Sequence, residues 1–253
     1  MRLGALIIAT AIAALSTAAA AADEDPICAD RPGKATPTCT VPAGMIQIES
    51  GLLDWSGGHA DDQLDFGGTA VKYGVNDRLH LEIDLPAYTT VQHGPSGFGD
   101  AAVAIKYRLS GDASRVQLAL RPFVKIPTAR HALGNGKVEG GAAFLADSTF
   151  GASSIGWDVA PEVDLVADAD GSGYHLATAG AASVGFPVSK RLTLSAELWG
   201  AWDFDPSGTV RQYSADAAAA LLLSDNAQLD AGINIGLRGS PGAEVYTGIA
   251  IRF

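Results

Sequence analysis

From Leu79 to Leu85 the chain reads Leu-His-Leu-Glu-Ile-Asp-Leu, aliphatic at every odd position and polar at every even one. Successive side chains on a strand point to opposite faces, so this stretch makes a strand with one greasy face and one charged face. The pattern recurs. Val116, Leu118, Leu120, Val124 and Ile126 alternate with Gln117, Ala119, Arg121, Phe123 and Lys125. Leu192, Leu194, Ala196 and Leu198 alternate with Arg191, Thr193, Ser195 and Glu197. Leu229, Ala231, Ile233, Ile235 and Leu237 alternate with Asp230, Gly232, Asn234, Gly236 and Arg238. The end of the sequence keeps the same period, with Val245, Thr247, Ile249, Ile251 and Phe253 on one face. No helical 3.6-residue period competes with it beyond the first two dozen residues.

Adding the weaker segments gives about twelve strands, over 44–54, 63–74, 78–89, 100–109, 115–127, 138–149, 156–167, 173–186, 191–202, 209–222, 227–238 and 243–253. The connections alternate in kind. Val75-Asn76-Asp77, Ser110 to Ala113, Pro187 to Lys190 and Ser224-Asp225-Asn226 are tight turns. Trp55 to Asp62, Thr90 to Gly99, Thr128 to Lys137 and Asp203 to Gly208 are longer, and rich in glycine or charge. Short turns at one rim and long loops at the other are the habit of an outer-membrane barrel. A soluble sandwich also alternates, but it has no reason to keep that parity. Nor does it explain small residues on the polar face (Ala177, Ala179, Ala181) or rings near strand ends (Trp55, Tyr88, Tyr107, Trp157, Phe186, Trp202), which suit a membrane interface. The expected fold is therefore all-β: a transmembrane, antiparallel, up-and-down barrel. Phe253, outward at the end of the last strand, is the feature by which assembly machinery recognises many such barrels.

The first 22 residues read as an export leader. Arg2 starts it, Leu3 to Ala22 carries no charge, and Ala20-Ala21-Ala22 precedes Asp23-Glu24-Asp25. Removing Arg2 leaves the remainder one unit more negative than the full-chain charge of −11. That acidity argues against nucleic acid, whose phosphates need Lys and Arg. After the leader, the longest uniformly apolar run is Ala217 to Leu223, far below the roughly 20 residues of a spanning helix. The only cysteines are Cys28 and Cys39. In an oxidising exported compartment a disulfide is the default; a metal pair, the alternative, has no second Cys or His cluster beside it. The expected organisation is a leader at 1–22, a periplasmic amino-terminal segment at 23–43 holding that disulfide, and a barrel at 44–253 in the outer membrane of a Gram-negative cell.

Several motifs fall in a familiar order: Asp30-Arg31-Pro32-Gly33, Val41-Pro42-Ala43-Gly44, Tyr73-Gly74-Val75-Asn76-Asp77-Arg78-Leu79, Gly97-Phe98-Gly99-Asp100, Lys125-Ile126-Pro127-Thr128, Leu223 to Asp230, and Gly248 to Phe253. Over nearly the whole chain after the leader this resembles the outer-membrane family of the meta-cleavage pathway of phenol degradation, often labelled as transporters. The resemblance implies an outer-membrane barrel, sometimes linked with uptake of aromatic compounds. It supplies no catalytic residues.

Alternation alone assigns the inward charges: Glu49, Glu82, Asp84, Lys106, Arg108, Arg121, Lys125, Glu162, Asp164, Glu197, Asp230 and Arg252. Lys106, Arg108, Arg121 and Lys125 share the neighbouring segments 100–109 and 115–127, and are expected to form a solvent-accessible basic strip that attracts small anions. The expected function is passive passage of small molecules, with outer-membrane lipid and a small solute as partners and no cofactor. The alternative is a barrel that serves adhesion or envelope integrity and transports nothing. An enzyme reading rests on five histidines, His59, His80, His93, His131 and His175. His80 and Asp84 share the inward face with Glu82 between them, but residues four apart on a strand lie about 13 Å apart, so a hydrolytic dyad would need another strand. Asp168 to Gly173 begins like a calcium loop but lacks the later oxygen ligands and terminal Glu, and reads as a solvated loop. Gly134-Asn135-Gly136-Lys137 has no helix after it to complete a phosphate cradle.

Overall fold

The structure is a computed structural model that describes residues 25–58, 61–130, 132–152, 154–240 and 242–253. The leader, His59 and His131 lie outside the described residues. The strands are β1 (Ile46–Gly57), β2 (Gln63–Phe66), β3 (Thr69–Asn76), β4 (Leu79–Leu85), β5 (Tyr88–Val91), β6 (Ser96–Phe98), β7 (Ala101–Arg108), β8 (Gln117–Ile126), β9 (Glu139–Thr149), β10 (Gly156–Ala167), β11 (Tyr174–Pro187), β12 (Leu192–Asp203), β13 (Val210–Ser224), β14 (Ala227–Arg238) and β15 (Ala243–Arg252).

Three pairs among these are single strands with a break. β2 and β3 part at Gly67-Gly68, β4 and β5 at Pro86-Ala87, and β6 and β7 at Gly99-Asp100. The first break has a clear cause. β1 pairs with β3 up to Ser50 and with β2 from Asp54 onward, with a bulge between Gly51 and Leu53. Gly51 and Gly67 bond each other's neighbourhood at the switch, through Gly67 N–H to Gly51 O and Gly51 N–H to Gly68 O, both 2.8 Å. Gly67 has φ +70 there, a left-handed value that glycine adopts freely. At the second break Pro86 has no N–H to give the ladder. With the breaks bridged, the wall is the closed, twelve-stranded antiparallel barrel expected from the alternation.

Closure is made by β1 against β15, in register from Gln47↔Arg252 to Gly57↔Ala243. Phe253 completes it by exchanging backbone hydrogen bonds with Ile46 at 2.8 and 3.1 Å. Lipid offers no partner for edge N–H and C=O groups, so an open wall would leave a row of them unsatisfied at several kcal/mol each. The outer face carries the apolar half of the alternation. Leu81, Ile83, Leu85, Val103, Ile105, Val124, Val163, Leu165, Leu198, Ile233 and Val245 all point out and are exposed. The small and polar half points in, and the buried core is correspondingly modest: Ala119, Ala143, Leu145 and Ala160.

The two rims differ. One, where the described residues begin at Asp25 and end at Phe253, holds the turns at Asp77-Arg78, 109–116, 150–155, 188–191 and 225–226. The other holds the connections at 92–95, 127–138, 168–173 and 204–209, with 127–138 the longest.

Candidate functional site: the lumen and the segment inside it

The wall places the segment before β1 where alternation could not. Residues 25–43 enter the barrel at the rim of the chain ends and bond to inward side chains almost all the way round. The Ile27 N–H donates to Asp225 O at 2.7 Å and Arg252 Nη2 donates to Asp25 O at 2.8 Å, anchoring the entrance. Cys28 and Cys39 form the expected disulfide, with Cα atoms 6.4 Å apart. The bond turns residues 28–39 into a loop that stands within the lumen.

The loop is held by charge. Asp30 accepts from Lys106 Nζ at 2.6 Å and from Lys72 Nζ at 2.7 Å. Its own N–H donates to Glu49 Oε2 at 3.0 Å, and Lys72 also bonds Glu49. Lys72 and Lys106 are 1% and 0% exposed. Ammonium groups taken that far from water need anionic partners. Burial alone would raise the Asp30 carboxyl, but Lys106 and Lys72 outweigh it and hold the group at about 2, below its ordinary 3.8. Arg31 makes a two-pronged contact to Asp230 at 3.0 and 3.2 Å, the strong form of Arg–carboxylate pair. A side chain at Gly248 would overlap that guanidinium. The N–H groups of Lys34 and Ala35 both donate to Glu197, at 2.9 and 2.6 Å. Thr38 N–H reaches Asp147 at 2.8 Å, and Val41 N–H reaches His80 Nδ1 at 3.2 Å.

Beyond the segment the interior opens. A cavity of about 430 Å³ lies between the loop and the wall, lined among others by Asp30, Arg31, Lys34, Asp84, Arg121 and Glu162. Smaller spaces of about 80 and 100 Å³ flank Lys34 toward Trp199 and toward Glu244 and Tyr246. Lys34 stands at the meeting of all three and pairs with Glu244 at 3.4 Å.

All twelve charges assigned inward by alternation sit on the lumen side, but at different levels. Glu49, Glu82, Lys106, Glu197, Asp230 and Arg252 are buried around the inserted segment. Asp84, Arg121, Glu162 and Asp164 belong to the wider part of the interior, Arg108 to the rim of the chain ends, and Lys125 to the opposite rim. The expectation of a solvent-accessible basic strip is corrected here. Lys106 is fully buried against Asp30. Arg121 is paired with Glu82 at 2.6 Å and Asp84 at 3.1 Å, and Lys125 with Glu139 at 2.6 Å and Asp100 at 3.1 Å. Arg108 is paired with Asp112 at 2.6 Å. The strip exists as a row of positions, yet each cation in it already has an anion. Carboxylates are less completely served. Among the described residues no Lys or Arg lies within 4.0 Å of Asp158, Glu162 or Asp164 on β10, and one oxygen each of Asp158 and Asp164 is buried without a hydrogen-bond partner.

Sequence reasoning missed Lys72, Asp30, Arg31 and Lys34. Lys72 was within reach, since it alternates with the outward Val71 and Tyr73. The other three lie before the first strand, where no period operates. His80 stands beside Glu82, at 3.5 Å, and accepts from the inserted segment, so the His80–Asp84 pairing considered for hydrolysis is replaced by a structural contact.

An apolar-sheathed closed barrel with a charged interior and an amino-terminal segment folded into it defines the class of outer-membrane-type barrels. The family described as "Putative MetA-pathway of phenol degradation" matches residues 29–253, and the chain belongs to that family. Among solved structures, the fold is similar to an outer-membrane channel from Pseudomonas putida F1. Identity is 14%, the match covers 88% of this chain and 99% of that one, and the TM-score is 0.70. It is also similar to the NanC porin, at 11% identity, 81% and 98% coverage and a TM-score of 0.57. No curated protein sequence matches.

Proposed function

We propose that this protein is a passive outer-membrane channel for small molecules, with the rim of chain ends on the periplasmic side and the long loops outside. The observation that carries the reading is the charged chamber of about 430 Å³ within a wall whose outer face is apolar. A barrel built only as a brace gains nothing from keeping polar volume inside, whereas a solute path needs it. The inserted segment makes the path narrow, which favours small solutes. Single-ring aromatic compounds, suggested by the family's description, fit a chamber of that size.

The charge balance supports cations and neutral molecules over anions, contrary to the expectation from Arg121 and Lys125 alone. Those two side chains are neutralised by four carboxylates, while among the described residues Asp158, Glu162 and Asp164 have no Lys or Arg within 4.0 Å. Whatever negative charge these three carry is not cancelled by a neighbouring cation, and low-dielectric walls focus its field along the path. Reversal potentials of the purified protein in planar bilayers under a salt gradient test both points. Wild type is expected to conduct with cation preference, and Glu162→Gln with Asp164→Asn to lower it. Absent conductance would overturn the channel reading, and anion preference would overturn the charge argument.

A further inference from the structure

The loop rim holds a group that the channel reading leaves unused. The β10–β11 loop, 168–173, and the β12–β13 loop, 204–209, lie side by side, with Ala169 N–H donating to Asp205 Oδ2 at 2.7 Å. His175, near the start of β11, stands between them with its side chain 8% exposed. Its Nδ1 is 2.9 Å from Asp168 Oδ1 and 3.7 Å from Asp205 Oδ2. Its Nε2 is 2.6 Å from Asp203 Oδ1. Three carboxylates thus converge on one imidazole. Among the described residues no Lys or Arg comes within 4.0 Å of any of them. Lys137, from the 127–138 connection, donates to the Gly171 carbonyl at 3.2 Å.

We propose that Asp168, His175 and Asp205 form a divalent-metal site at this rim, with His175 ligating through Nδ1 and Asp203 acting as its positioning residue. The candidate ligand atoms all lie within 4.8 Å of one another, a spread that bonds of about 2.0–2.2 Å to one ion can bridge with small adjustments. With Asp203 accepting the Nε2 proton, Nδ1 faces Asp168 and Asp205, where it either donates a second ring proton to Asp168 or, without that proton, offers its lone pair to an ion held between the carboxylates. The latter is the carboxylate–histidine–metal arrangement, in which the outer carboxylate fixes the tautomer and raises the basicity of the ring. A neutral acceptor nitrogen facing two anionic acceptors is repulsive unless a cation sits among them. Either a metal ion or a second ring proton can play that part. One imidazole nitrogen with two carboxylate oxygens suits zinc or a similar borderline ion, whereas calcium prefers an all-oxygen set. Water would complete the coordination. The ion would staple two outer loops already joined by the Ala169–Asp205 hydrogen bond. This inference stands apart from the channel reading and does not depend on it.

The test is titration of Zn²⁺ into the full, EDTA-treated barrel in detergent at pH 7.5, read by calorimetry, with Co²⁺ absorption as a second readout. Wild type is expected to bind one ion in a saturable step and to give a Co²⁺ visible band. His175→Ala is expected to lose both, and Asp203→Asn to weaken affinity by about 10–100-fold while the metal still binds. Heat-modifiable gel migration confirms that each variant is folded. Binding unchanged in His175→Ala means adventitious capture by other histidines and overturns the site. So does the absence of saturable binding in wild type, for which a doubly protonated His175 ring by NMR at pH 8 would supply the reason. Tighter binding of Ca²⁺ than of Zn²⁺ overturns the assigned metal class.

Discussion

Asp30→Asn is the sharpest perturbation of the lumen. Asp30 is the only carboxylate within 4.0 Å of Lys106 among the described residues, and Lys106 is fully buried. Lys72 retains Glu49 when Asp30 is neutralised, but Lys106 retains only the Pro37 carbonyl, at 3.1 Å, which belongs to the same inserted segment. The carboxyl sits at about 2 against an ordinary 3.8. A drop of that size is worth about 2–3 kcal/mol of preference for the charged, docked state, of the same order as removing one partner of a buried pair. Docking of residues 25–43 should therefore weaken by about 30- to 150-fold at neutral pH, using 1.4 kcal/mol per tenfold. The sign of the pH dependence follows. A depressed carboxylate contributes fully above its unfolded value and loses that contribution as pH falls through its folded one. Wild type should thus hold the segment down to about pH 4 and release it progressively between about 4 and 2, while Asp30→Asn is loosened throughout. Limited proteolysis within 25–43 of the folded, micelle-bound barrel, alongside single-channel conductance, reads both effects. A second change, Lys106→Met, should return part of the loss by removing the stranded charge. If Asp30→Asn is cut no faster than wild type and conducts identically, the ion-paired loop does not hold the segment and the reasoning fails.

Two further outcomes are expected from the same geometry. Cys28→Ser with Cys39→Ser frees the 28–39 loop, whose closure is worth about 3 kcal/mol in the loop-entropy estimate; cleavage of the segment should speed up while the barrel's heat-modifiable migration is unchanged, and a lost barrel would refute the separation. Gly74→Ala places a methyl group against the Pro42 and Val41 carbonyls, an overpacking worth about 1–3 kcal/mol. It should shift residues 41–43 and raise conductance, and an unaltered conductance would show that this contact does not gate the path.

What the sequence determined by itself was everything governed by the two-residue period. A strand's side chains alternate whatever its partners are, so Leu81 and Ile83 were assigned outward and Glu82 and Asp84 inward before any pairing was known. Lipid outside and polar space inside then required closure, and β1 meets β15 as that argument demands. The cysteine pair was legible because only two thiols exist in the chain. Tertiary structure alone decided which charge meets which. Arg31 and Asp230 are 199 positions apart, and nothing local distinguishes Asp230 as its partner rather than Glu197 or Glu49. The basic strip fails as a strip for the same reason: Arg121 and Lys125 face inward, but their neutralising carboxylates come from strands and loops on either side. Residues 25–43 carry no period at all, so their place in the lumen depends on wall charges that become neighbours only when the sheet closes. Asp168, His175 and Asp205 come together by the same route, since two separate loops become adjacent through the β11–β12 pairing between them. Facing is a property of the strand, whereas contact is a property of the closed barrel.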